Sequence, residues 1–126
     1  MLDKVDKRKI LIIDDDVIYQ QILRKLLCST YNVILTGDSK EAIEYLEKYG
    51  SPDLVIADLN LPGLDGIELI STIKEKLNAS QTNILVISGM DDEILKTNLF
   101  HLGVSEFLTK PIERKNLKDK IDNLIG

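Results

Sequence analysis

Four places in this sequence put reactive side chains at or near the end of an aliphatic run. Asp14-Asp15-Asp16 follows Ile10 to Ile13, Asp58 follows Leu54 to Ala57, Ser88-Gly89 follows Ile84 to Ile87, and Lys110-Pro111 comes shortly after Phe107-Leu108. Asp14, Asp15 and Asp58 gathered in one place would set three carboxylates against each other, and like charges a few Å apart oppose ionisation. A hard divalent cation with oxygen ligands relieves that conflict. Mg2+ suits a site with few protein carboxylates because it keeps several waters in an octahedral shell, whereas Ca2+ wants more oxygens. No histidine or cysteine neighbours the acids to select a softer metal, and Mn2+ is the expected substitute. A carboxylate can also attack phosphorus and form an acyl phosphate. Asp58, standing alone, is the candidate nucleophile. Lys110 is a point cation able to reach a phosphoryl oxygen, Ser88 offers a hydroxyl to another, and Gly89 has no side chain to block the approach. With one divalent cation and Lys110, the three aspartates sum to roughly zero. A phosphoryl group on Asp58 takes the site to about −1, a local change able to bias a two-state element.

Such groups must be delivered by strands, and the chain supplies them in a rhythm. Short aliphatic segments at residues 9–14, 31–36, 53–58, 83–88 and 106–108 alternate with amphipathic stretches. The spacing is that of βα units, far longer than the roughly 8–12 residues of a sandwich. Four of the segments are near-continuous apolar runs, which implies burial on both faces and hence a parallel sheet covered by helices. The helical stripes are Tyr19, Ile22, Leu23, Leu26 and Leu27; Ala42, Ile43 and Leu46; Ile67, Ile70, Ile73 and Leu77; Ile94, Leu95, Leu99 and Leu102; and Leu117, Ile121, Leu124 and Ile125, at spacings of three and four. Asp16, Asp38 (with Glu41 three residues on) and Asp91 read as helix caps, and Gly103 as a left-handed stop. Five βα units predict an α/β fold: a five-stranded parallel sheet, order 2-1-3-4-5, doubly wound with five helices in the flavodoxin-like manner. Helices 1 and 5 lie on one face and helices 2, 3 and 4 on the other. In such sheets ligands bind beyond the carboxyl ends of the strands at the switch point, here between the first and third strands. All four reactive clusters fall on that rim.

Composition narrows the class. The 126 residues are 44% hydrophobic and 29% charged, as for a globule rather than a disordered tail. One cysteine, Cys28, excludes a disulfide scaffold and reads as packing among leucines; one histidine, His101, reads as a surface residue. The longest aliphatic runs are far short of a membrane span, and the charged start has no signal-peptide core, so a cytoplasmic protein without membrane attachment is expected. A net charge of −5 argues against direct nucleic-acid binding. Residues 1–8 are read as a lead-in and 9–126 as one domain.

From Lys9 to Ile125 the chain resembles a response-regulator receiver domain of two-component signalling. The resemblance is carried by Ile10-Leu11-Ile12-Ile13-Asp14-Asp15-Asp16, by Pro52 to Gly66 around Asp58, by Val86-Ile87-Ser88-Gly89, and by Gly103 to Pro111, in family order and spacing. It implies a phosphoacceptor that catalyses only its own phosphorylation and dephosphorylation, with Asp58 as acceptor. It implies Mg2+ held by Asp14, Asp15, Asp58 and the backbone carbonyl of Asn60. Ser88 and Lys110 would contact the phosphoryl group, Phe107 would be the aromatic switch, and Gly89 and Met90 would tune access to the phosphate. The Lys110–Pro111 bond is expected to be cis. The resemblance also implies a histidine kinase or histidine phosphotransfer protein as donor. A downstream protein or fused output domain would read the face of helix 4, strand 5 and helix 5, with a phosphorylation-linked dimer as a further partner state. Ile18, Ile22, Pro111 and Ile112 form a candidate apolar docking rim for the donor helix. Phe107 departs from the common tyrosine and has no hydroxyl. The motifs fill nearly the whole chain, as in a stand-alone receiver or one cut from a longer regulator.

Three rivals fare worse. A flavin-binding electron carrier shares the topology but needs a Ser/Thr- and Gly-rich phosphate loop where this chain has three aspartates. An aspartyl phosphatase would want the nucleophile on the first strand and an acid two residues later; Asp14 and Asp16 offer that, but Val17 and Ile18 break the continuation. A phosphate-independent pseudo-receiver is disfavoured because no site residue is missing. The basic cluster Arg114, Lys115, Lys118 and Lys120 reads as a solvated helix face.

Overall fold

The structure, a computed structural model, describes residues 7–59, 64–77 and 81–126. Strands and helices alternate: β1 (Lys9–Ile13), α1 (Val17–Leu27), β2 (Asn32–Thr36), α2 (Ser39–Tyr49), β3 (Leu54–Leu59), α3 (Leu64–Leu77), β4 (Asn83–Ser88), α4 (Glu93–His101), β5 (Glu106–Thr109) and α5 (Arg114–Ile125). The strands form one five-stranded sheet in the order β2-β1-β3-β4-β5, and every pairing is parallel. This is the predicted doubly wound fold. Most of the predicted lead-in, residues 1–6, lies outside the described residues.

Side chains alternate across each strand, so the sheet feeds two cores. Ile10, Ile12, Ile56 and Ile87 join Leu23 and Leu27 of α1 and Leu117 and Ile121 of α5. Leu11, Ile13, Val55 and Val86 join Leu46 of α2, Ile70 and Ile73 of α3 and Leu99 of α4. The helices therefore divide one-and-five against two-three-four. Each of these fully buried aliphatic side chains stabilises the fold by roughly 1.5–3 kcal/mol. Gly66 lets α3 approach β3 closely: a Cβ there would lie 2.9 Å from Leu59 Cδ1. Gly103, at φ +101°, turns the chain out of α4 in a conformation that side chains resist.

Details of the helix starts differ from expectation. α4 is capped by Asp92, whose carboxylate accepts the N–H groups of Ile94 (2.9 Å) and Leu95 (3.3 Å). Asp91 instead pairs with Lys96 at 2.6 Å. With that phase Leu95 and Leu99 face the core and Ile94 is 75% exposed, so Ile94 does not belong to the buried stripe. Asp38 accepts from the Glu41 N–H, but the Glu41 carboxylate reaches Gly37 N, one residue short of a full capping box. Cys28 is exposed rather than packed; it ends α1 one residue past Leu27, which takes the last inward position.

At the sheet end remote from Asp14, the buried Tyr31 hydroxyl donates to Asp122 Oδ1 at 2.5 Å, and Lys118 pairs with the other carboxylate oxygen at 3.1 Å. Burial and the Asp122 carboxylate push the Tyr31 phenol up to about 12, so the hydroxyl is a donor at neutral pH. A hydrogen bond to a charged acceptor is worth more than a neutral one. Tyr31→Phe is expected to lower the unfolding free energy by about 1–2 kcal/mol in urea denaturation at neutral pH, with no effect on chemistry at the opposite rim.

Candidate functional site

The strand register builds the site. Ile13 lies opposite Ala57, so one step further along β1 and β3 stand Asp14 and Asp58. Leu59 lies opposite Ser88, and Ser88 opposite Thr109, which brings Lys110 alongside. Asp58 is inside β3 rather than at its end, because the ladder continues through Leu59 to Ser88.

The three consecutive aspartates separate into three environments. Asp14 is 1% exposed; its Oδ1 accepts the Asp16 N–H at 2.8 Å. Asp15 is exposed. Asp16 caps α1, accepting from Ile18 N (2.9 Å) and Tyr19 N (3.2 Å). Asp14 is held firmly from behind. Its N–H donates to Thr36 O at 3.0 Å, the Gln20 amide donates to both Asp14 O (2.5 Å) and Thr36 O (3.1 Å), and the Thr36 hydroxyl donates to Ile12 O at 2.7 Å.

Lys110 Nζ lies 2.7 Å from Asp58 Oδ2, with the Asp58 side chain 2% and the Lys110 side chain 33% exposed. The backbone of Lys110 donates to Ser88 O at 2.8 Å, which fixes its strand-end position. The Lys110–Pro111 peptide bond is cis. Ser88 is buried, and its Oγ accepts the Met90 N–H at 3.1 Å. Gly89 and the 40% exposed Met90 follow Ser88 directly, and a Cβ at Gly89 would meet open space. Asp14, Asp15 and Asp58 together line a cleft of about 250 Å³ that runs between the starts of α2 and α3.

The acid pair is electrostatically strained. Burial pushes Asp14 up to about 7, and the neighbouring Asp58 charge adds to it; the Asp16 N–H and Lys110 pull the other way. Asp14 Oδ2 and Asp58 Oδ1 are buried without a hydrogen-bond partner, which ordinarily costs on the order of 1–3 kcal/mol per group. Two orphaned carboxylate oxygens facing one cleft are what an oxygen-seeking cation would satisfy, so the donors present fit a magnesium-type ion. Among the described residues no three acidic, histidine or cysteine side chains already converge on one point; Asp14 and Asp58 form the pair, with Asp15 beside them. The expected carbonyl donor Asn60 lies outside the described residues.

A model of the response regulator receiver domain matches residues 10–122. The chain belongs to that family. It is a receiver domain of two-component signalling, and its relatives are response regulators and histidine kinases. The sensor histidine kinase TmoS of Ectopseudomonas mendocina is 31% identical over 121 residues, covering 96% of this chain and 12% of that protein. The alkaline phosphatase synthesis transcriptional regulatory protein PhoP of Bacillus subtilis is 30% identical over 119 residues, 94% of this chain and 48% of that one. The solved response regulator receiver protein from Pseudomonas putida superposes with a TM-score of 0.80 at 27% identity, covering 95% of this chain and 99% of that one. The receiver thus spans about half of one curated relative and about an eighth of the other. No helix among its described residues is long and apolar enough to cross a membrane.

Phe107 of this receiver is 8% exposed, with Lys96 Nζ 5.4 Å from its ring centroid. His101 is exposed, as expected. Of the basic cluster on α5, Lys118 and Lys120 pair with Asp122 and Glu106. Sequence reasoning missed Gln20, which braces the Asp14 backbone. The signal was present: positions 20, 23 and 27 share the helical spacing of the buried stripe, and a glutamine there is a polar residue on an inward face.

Proposed function

We propose that this receiver domain takes a phosphoryl group onto Asp58 from a phosphohistidine donor and that Mg2+ assists. The observation that carries this reading is the buried Asp14–Asp58 pair with two unpartnered oxygens and a lysine 2.7 Å from the acceptor. Asp14, Asp15, Asp58 and the Asn60 carbonyl would hold the ion, which, when bound, offsets charge on the carboxylates and the incoming phosphoryl oxygens. An Asp58 oxygen attacks phosphorus, the P–N bond breaks, and the imidazole leaves with its electron pair. The product is an acyl phosphate on Asp58. Lys110, already at the carboxylate, follows the new charge onto a phosphoryl oxygen. The Ser88 hydroxyl gives up its place at Met90 N and donates to another. Phosphoryl loss is the attack of water on the same phosphorus, with Gly89 and Met90, next after Ser88, controlling its access. The domain turns over no external substrate of its own.

The output follows from the same charges. Phe107 lies inward with Lys96 over its face, and Lys96 is tied to Asp91 just beyond Ser88. Movement of Ser88 shifts the balance between this ring position and an outward one. The face of α4, β5 and α5 changes with it, for a downstream protein, a fused output domain or a second receiver. Residues 9–126 form the working unit in this reading, in the cytoplasm and without nucleic-acid contacts of its own.

Mixing the protein with acetyl phosphate tests the chemistry. Intact mass should gain one phosphoryl group with Mg2+ or Mn2+ and none with EDTA; a metal-independent adduct overturns the metal assignment. For the donor, Ile18 is 74% and Val17 67% exposed at the head of α1, beside the acids. Ile18→Glu is expected to slow transfer from a phosphorylated histidine phosphotransfer domain about tenfold, since a charge lost in an apolar contact costs at least about 1–2 kcal/mol. Phosphorylation by acetyl phosphate should be unchanged, and equal loss with both donors would remove α1 from docking.

A further inference from the structure

The Lys110 ammonium has a second neighbour that the reaction so far leaves idle. Its Nζ lies 5.3 Å from the centroid of the Tyr19 ring, while it pairs with Asp58 at 2.7 Å. Tyr19 stands in the first turn of α1, placed there by the Asp16 cap, which accepts the Tyr19 N–H itself. The ring packs on the core beneath α1 and α5, so it is backed and cannot swing freely away. Its phenol is pushed up by burial and by the charges of Asp58 and Asp14, which marks it as part of the same electrostatic neighbourhood.

We infer that Tyr19 is a positioning residue for Lys110: its ring face holds the ammonium between α1 and the acceptor carboxylate, ready to follow charge from Asp58 to a phosphoryl oxygen. A lysine side chain is long and rich in rotamers, and Lys110 is one-third exposed. A ring face beside the ammonium narrows the positions it samples. An aromatic face attracts a cation without accepting a hydrogen bond, so it orders the ammonium yet leaves its three N–H donors for oxygens. A hydrogen-bonding residue in that place would compete with the phosphoryl group. This inference rests on Asp58 phosphorylation as proposed above.

Rates of Asp58 phosphorylation by acetyl phosphate with Mg2+, followed by intact mass, test it. Tyr19→Leu, apolar and of similar bulk, should slow the rate about three- to tenfold, the size of a partly exposed cation–π contact. Tyr19→Met, a second ring-less variant, should do the same. Tyr19→Phe keeps the face and should stay within about twofold of wild type. In a Lys110→Met background Tyr19→Leu should change nothing further; another drop of the same factor would show action independent of Lys110 and overturn the assignment, as would wild-type rates in both ring-less variants. A wild-type protein that gains no adduct at Asp58 would instead overturn the phosphoacceptor reading itself.

Discussion

Asp58→Asn is expected to gain no phosphoryl mass from acetyl phosphate under conditions that load the wild-type protein fully. The amide keeps the shape of the carboxylate in a nearly closed position of β3 but has no anionic oxygen to attack phosphorus. It also removes the partner that Lys110 holds at 2.7 Å and the charge that opposes Asp14. The fold should survive, because the loss of one ion pair is offset by relief of the like-charge contact. A cooperative urea transition recorded beside the mass measurement shows that the loss is chemical. An adduct of unchanged yield in Asp58→Asn would move the acceptor elsewhere, with Asp14 and Asp15 the next carboxylates in the cleft.

The second large effect is on stability against pH, in the metal-free protein. The folded chain holds the Asp14 proton up to about 7, against an ordinary value of 3.8. Between those values the folded state binds more protons than the unfolded state, so unfolding free energy falls as pH rises. The contribution is fully present below 3.8 and is lost as pH passes 7. From pH 5.5 to pH 8 in EDTA the loss should be about 2 kcal/mol. Asp122, held low mainly by the Tyr31 hydroxyl, has the opposite sign, and its window lies below 3.8. Asp14→Asn should flatten the profile and raise stability at pH 8. Mg2+ at pH 8 should restore the wild-type protein and leave Asp14→Asn nearly unmoved. A wild-type protein equally stable at both pH values would mean that the acid pair is not under strain.

Much of this was legible in the sequence because the informative residues sit where pattern and chemistry agree. Continuous runs such as Ile10 to Ile13 and Leu54 to Ala57 can be buried only inside a covered parallel sheet. That sheet forces Asp14, Asp58, Ser88 and Lys110 onto one rim. The residues that slipped past are those whose role depends on helix phase. With two adjacent aspartates able to cap α4, only the geometry decides that Asp92 does so, and one residue of phase turns Ile94 from the core to the solvent. Cys28 leaves the core for the same reason, one step beyond the last inward leucine. Tyr19 belongs to the apolar stripe and Gln20 only shares its helical spacing, and spacing says which side a residue faces and not which carbonyl or ammonium it meets there. The strand register is likewise invisible to composition, and it is what carries Asp58 inside β3.

The misplaced thiol has a use. Cys28 is the chain's one cysteine, and it is exposed at the tail of α1, a helix of 11 residues and so about 16 Å long. Asp16 and Tyr19 stand at the head of that helix. A maleimide dye or spin label would therefore attach to the unaltered protein at one defined point, close enough to α1 to register its movements and too far from the acids to touch them. The same exposure lets two copies couple through sulfur in air, so a covalent dimer in an unreduced preparation would reflect storage conditions and not phosphorylation.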